Sequence, residues 1–158
     1  MSLDGRAQAW AWTLALIGVV VALDQSTKQI ALSSIERTNP IELPLGFQLA
    51  NVRNKGIAFG LFAGGKAALL ALTLGAVALL LLYFTFNASR PGLWAAVGLV
   101  TGGALGNLAD RTRAGAVTDF IDPPLWPAFN VADVAIVAGV VLLVLVLMTP
   151  AGKRAGAS

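Results

Sequence analysis

The chain has 158 residues, 57% hydrophobic and only 12% charged, with a net charge of +3 and neither Cys nor His. An ordinary soluble domain carries about a quarter charged residues, so this composition describes a membrane protein. Without Cys or His, a disulfide frame, a thiolate nucleophile, a His general base and a zinc site of the usual ligands are all excluded. The basic residues are scattered and the aromatics lie in apolar runs, which argues against a nucleic-acid partner.

A membrane span needs about 20 mostly apolar residues to cross about 30 Å of hydrocarbon. Four segments qualify, at about 9–28, 67–86, 93–108 and 131–148, and they leave one polytopic domain over 1–158. The first apolar run closes at Leu23, and Val21-Ala-Leu23 lacks the small final residue of an Ala-x-Ala cleavage site, so it reads as a retained helix. Continued past Asp24, this helix puts Asp24 and Lys28 at i and i+4 on one face. The polar stretch 33–60 is punctuated by Pro40, Pro44 and Gly46, and the partial alternation of Phe47 to Arg53 predicts a small sheet on the membrane surface. The second span carries no chemistry and reads as lipid-facing scaffold. Asn87 to Gly92 is a tight polar turn, so spans two and three are antiparallel neighbours. Span three ends in a glycine-rich run in which Gly102 and Gly106 form the small-xxx-small pattern of closely approaching helices. A second surface segment, 111–129, contains Pro123, Pro124 and Pro127.

Alternation of the spans brings Asp24, Asp110 and Asp133 to one face of the membrane, together with both polar segments. The termini and the short turn take the other. Counting Lys and Arg alone, the termini and turn hold Arg6, Arg90, Lys153 and Arg154 while the polar face holds the other seven, so the positive-inside rule would put the polar face in the cytoplasm.

Carboxylates within or beside hydrocarbon are costly and are functional candidates by default. A Ser-Lys pair from Ser26 and Lys28 fails because i and i+2 face different ways on a helix. Two carboxylates sharing a site need no metal, His or Cys: one, ionised, takes a proton from water while its protonated partner donates to the scissile carbonyl. Asp119 and Asp133 are the candidates. Asn130-Val-Ala-Asp133 also reads as a capping box for span four, and a helix N-terminus favours ionised Asp133, so the two readings are compatible. Asp119, between Val117 and Phe120, has less ordinary explanation, whereas Asp122 before two prolines reads as a turn residue. Asp110-Arg111 is either a charge pair at a helix end or, with Asn107 one turn earlier, a device that holds the loop bearing Asp119. Asn54 and Gly56 read as a surface turn or as a strand edge able to grip an extended peptide.

Five ordered motifs carry a resemblance that covers nearly the whole chain: Asp24-Gln-Ser-Thr-Lys28, Val52-Arg-Asn-Lys-Gly-Ile-Ala-Phe-Gly60, Gly102-Gly-Ala-Leu-Gly-Asn-Leu-Ala-Asp-Arg111, Val117-Thr-Asp-Phe120 and Phe129-Asn-Val-Ala-Asp133. In this order they resemble bacterial lipoprotein signal peptidase, or signal peptidase II. The resemblance implies an aspartyl endopeptidase of the inner membrane that removes the signal peptide from diacylglyceryl-modified prolipoproteins, cutting before the lipid-bearing cysteine. Its dyad would fall on Asp119 and Asp133, with Asp24, Asn54, Gly56, Asn107, Arg111, Asn130 and Ala132 around the site; Lys28 and Asp110 join them as supporting residues through their acid and base neighbours. It also implies cytoplasmic termini, against the charge count, and a small extracytoplasmic sheet with a surface helix. The chain departs from the pattern at Lys55 and Ile57, where Thr and Ala are common. No cofactor or metal is expected, the partners are lipidated substrate and membrane lipid, and a monomer is expected. The rival from another class is a transporter or channel component with the buried acids as ion sites; against it, span two offers no charged residue to line a path.

Overall fold

The computed structural model describes residues 3–54 and 65–149. Four long helices, α1 (Leu3–Ser34), α2 (Gly65–Asn87), α3 (Leu93–Ala114) and α4 (Val131–Met148), are joined by strands β1 (Ile41–Glu42), β2 (Gln48–Asn54) and β3 (Val117–Asp122). Segments Gly5–Ser34, Ala67–Asn87 and Val131–Met148 are long and apolar enough to cross a membrane. Segment α3 is diluted by Gly, Asn, Asp and Arg because it is the central helix, packed against the other three.

Helix α3 lies parallel to α1 and antiparallel to α4. Gly98, Gly102 and Gly106 meet Leu16, Val20 and Asp24 in steps of four residues on each helix, while Gly103 meets Ala132 and Gly139 meets Val100. Small residues at such seams allow backbones to approach closely. At Gly106 an added Cβ would stand 2.5 Å from Asp24 Oδ2, so only glycine leaves room for that carboxylate.

The two ends of the bundle differ in chemistry. At one, Ala9, Phe84, Ala88, Leu93, Val97 and Val146 form an apolar cluster, with Trp10 edge-on to Phe84 at 4.8 Å. Basic side chains close it: Arg6 donates to the Thr85 carbonyl, and Arg90 donates to those of Leu147 and Thr149, satisfying helix C-terminal acceptors. At the other end lies the polar site, under the sheet.

The sheet is antiparallel in the order β1-β2-β3. Asn54 pairs with Val117 and Val52 with Asp119, and a register shift between Leu49 and Val52 bends β2. The chain then turns through its prolines and returns at Phe129, whose N–H donates to the Ile121 carbonyl at 2.9 Å. The sheet is tied to helix ends by Asn51 to the Ile35 carbonyl and by Arg53 to the Ala114 carbonyl.

Several expected boundaries shift. Helix α1 runs on to Ser34 and α3 to Ala114, so residues 111–114 are helical and not surface loop. Gly115, at φ 72°, ends α3 in the left-handed region that favours glycine. The rest of 111–129 contributes β3, because the β-branched Val117-Thr118 pair lies opposite Arg53 and Asn54. The surface helix expected from the resemblance has no counterpart there; among the described residues, the polar segments supply strands and one short 3-10 turn, Pro44–Gly46.

Candidate active site

The site grows from three helix ends and one strand. On α1, Asp24 and Lys28 are one turn apart and both buried, and their ion pair measures 2.8 Å. Lys28 Nζ also meets Asp110 Oδ2 of α3 at 3.0 Å and donates to Asn107 Oδ1 at 2.9 Å. The second oxygen of Asp24 accepts the Ala132 backbone N–H at 2.9 Å, so α1 satisfies a donor in the first turn of α4 that the helix itself leaves unpaired.

Asn130 caps α4. Its Oδ1 accepts the Asp133 backbone N–H at 3.0 Å, and Asp133 Oδ2 accepts the Asn130 backbone N–H at 3.2 Å, which is the reciprocal capping box. The capping function leaves the Asn130 NH2 group free to point into the site. It donates to Asp119 Oδ1 at 2.7 Å and to Asn107 Oδ1 at 3.2 Å. Asn107 Nδ2 in turn donates to Asp133 Oδ1 at 2.8 Å. Two asparagine amides therefore stand between the two carboxyl groups and hold both.

Asp119 is 1% exposed, and its second oxygen accepts from Asn54 Nδ2 of the neighbouring strand at 3.0 Å. Burial raises its pKa above the ordinary aspartate value, against the opposing pull of the Asn54 and Asn130 amides. The segment that carries Asp119 is anchored by Asp110 Oδ2, which accepts the Thr118 backbone N–H at 3.1 Å. Asp110 thus joins the buried lysine to the strand. Arg111 is half-buried among the charges of Asp133, Asp119 and Asp110, and its Nε has no hydrogen-bond partner.

Of the residues singled out in the sequence, Asp24, Lys28, Asn54, Asn107, Asp110, Asp119, Asn130, Ala132 and Asp133 fall into one connected network, with Arg111 beside it. Gly56, with Lys55 and Ile57, lies outside the described residues. Sequence reasoning passed over Gln25. Its Nε2 donates to Asp24, to the Gly106 carbonyl and to Asp110, and its Oε1 accepts from Arg113. The available signal was its position beside Asp24 on a helix end packed against α3, which a single-helix face argument misses.

Comparison with known proteins agrees with this architecture. A family model described as Signal peptidase (SPase) II matches residues 16–149. The chain is 41% identical over 140 residues to a "Lipoprotein signal peptidase" of Pelotomaculum thermopropionicum, covering 87% of this chain and 92% of the relative. It is 40% identical over 144 residues to one of Moorella thermoacetica, covering 89% and 95%. A bacterial membrane enzyme solved by the in meso method at 1.9 Å superposes with a TM-score of 0.80 at 30% identity, covering 87% of this chain and 92% of that one. The class is that of membrane-embedded peptidases, and the transporter reading is set aside. Within that class, the chain belongs to the signal peptidase II family.

Proposed function

We propose that Asp119 and Asp133 are the catalytic dyad of an endopeptidase that cuts diacylglyceryl-modified prolipoproteins before the lipid-bearing cysteine. The observation that carries this reading is the Asn107–Asn130 amide bridge, which binds one oxygen of each carboxyl group. Burial favours the protonated form of Asp119, which casts Asp119 as the acid and leaves Asp133, in the first turn of α4, as the base. Asp133 takes a proton from water as the water oxygen attacks the scissile carbonyl carbon, and Asp119 gives its proton to the carbonyl oxygen. The tetrahedral intermediate collapses as Asp133 delivers its proton to the departing amide nitrogen and a hydroxyl proton returns to Asp119. The C–N bond breaks and the dyad is restored. Asn54, at the edge of β2, and Arg111 stand where substrate backbone would cross.

In this reading α3 is a fourth span, since its 22 residues reach about 33 Å at 1.5 Å per residue. The dyad lies at the extracytoplasmic face of the inner membrane, with both termini in the cytoplasm. The positive-inside count loses force because basic residues of the dyad face are held structurally: Lys28 by Asp24 and Asp110, Arg53 by the Ala114 carbonyl and Arg113 by Gln25.

The test is cleavage of a prolipoprotein by purified protein, with and without the diacylglyceryl group, at matched detergent concentration. Buried acyl chains contribute about 0.8 kcal/mol per CH₂, and part of that positions the scissile bond. The modified substrate should be cut far faster. Equal rates would show that the lipid is not read.

A further inference from the structure

Lys28 is buried on α1, and a lysine ammonium has three donors and no acceptor. Here it donates to Asp24 Oδ2 and Asn107 Oδ1, at 2.8 and 2.9 Å, and forms an ion pair with Asp110 Oδ2 at 3.0 Å. The two carboxylates satisfy its charge. The third contact, to a neutral amide, leads into the site.

Because lysine can only donate, the Asn107 atom facing it must be the carbonyl oxygen, and the NH2 group must face the other way, toward Asp133. We propose that Lys28 is a positioning residue for the reaction: through Asn107 it fixes and polarises the amide N–H that binds Asp133 Oδ1. The inference rests on the dyad reading. Asn130 repeats the logic on the other side: the Asp133 backbone N–H can only donate, so it turns the Asn130 oxygen toward α4 and the NH2 toward Asp119. Asn107 is held less firmly without Lys28, since its oxygen would keep only the 3.2 Å contact from Asn130. Hydrogen bonds in series strengthen one another where water is excluded, so the cation at the head of the chain makes Asn107 a better donor at its end.

The charged neighbours of Asp133 are Arg111 on α3 and Asp119 on β3, while Asp24 on α1 and Asp110 on α3 flank Lys28. Lys28→Met alone leaves those two carboxylates without their cation and risks unfolding. The paired variant Lys28→Met/Asp110→Asn removes one charge of each sign and keeps the net charge of the cluster. In a folded paired variant, kcat should fall at least tenfold below that of Asp110→Asn alone, with little change in KM. The acid limb of the pH profile of kcat should move up, because a carboxylate that loses a donor holds its proton more tightly. An unmoved acid limb, with activity lost only in proportion to folded protein, would show that Lys28 merely ties α1 to α3.

A measurement with Lys28 intact tests the link from Asn107 to Asp133. With asparagine side chains labelled with ¹⁵N, the Asn107 NH2 signal should shift as the parent is titrated and lose that response in Asp133→Asn. A signal indifferent to both overturns the proposal. Failure of the dyad reading looks different, since Asp133→Asn would then retain activity.

Discussion

Asp119 is buried between a strand edge and the capping asparagine of α4, accepting one amide on each oxygen. Its raised folded-state value fixes the sign of a pH effect. Below the ordinary aspartate value of 3.8 the group is protonated folded and unfolded, and its contribution to stability is fully present; it is lost as pH rises through the raised folded value. Asp119→Asn removes that loss. The melting temperature of Asp119→Asn in detergent should therefore gain on the parent between acid and neutral pH, and a constant difference across that window would contradict the burial argument. Asp24 makes the opposite case. Asp24→Ala leaves the Ala132 N–H unpaired and deprives Lys28 of one of its two carboxylates. Breaking a buried pair costs about 3 to 5 kcal/mol, and the retained contact to Asp110 puts the expected loss at the lower end. Chemical denaturation of the variant in micelles checks this, and a parent-like midpoint would mean that the pair is solvated.

Helix α3 is the element on which the site depends, and its glycines matter for space. A Cβ at Gly103 would run into the carbonyl of Ala132, whose own N–H reaches Asp24, and would crowd Ile136. Glycine to alanine inside a helix gains about 1 kcal/mol of propensity, but overpacking against backbone costs about 1 to 3 kcal/mol. Gly103→Ala should therefore melt lower and cleave more slowly. Gly75→Ala on α2, with nothing within 4 Å of the added Cβ, should melt at or above the parent. Similar behaviour of the two would mean that α3 and α4 can separate without consequence. The helices were legible in sequence because apolar runs encode length directly, and Asp24, Asn107, Asn130 and Asp133 because polar residues at the ends of such runs stand out. Strand β3 was hidden in the same surface segment as the end of α3. Its pairing with β2, Asn54 against Val117 and Val52 against Asp119, depends on long-range contact that no local pattern announces. Gln25 was missed for the same reason, since its partners on α3 lie more than 80 positions away.

At the scale of the whole molecule, apolar packing holds one end of the bundle and a polar network the other, with basic side chains closing the apolar end. The proposed topology sends the polar end outward. Single cysteines at Glu42 and at Ala155 in this cysteine-free chain should separate cleanly in intact cells, with only the first reacting with a membrane-impermeant thiol reagent; the reverse labelling would restore the orientation that the charge count favours. At the polar end, two carboxyl groups are joined through two amides. Asparagine nearly matches aspartate in shape but cannot exchange the proton, so it removes the chemistry and keeps the packing. General acid–base catalysis contributes about 10² to 10⁴ in rate. The direct measurement is cleavage of a diacylglyceryl-modified prolipoprotein by Asp119→Asn and by Asp133→Asn, each shown to be folded by its melting transition. Both should lose at least about a hundredfold in rate, equivalent to about 2.7 kcal/mol of barrier, whereas more than about a tenth of the parent activity in either folded variant, about 1.4 kcal/mol, would contradict the dyad.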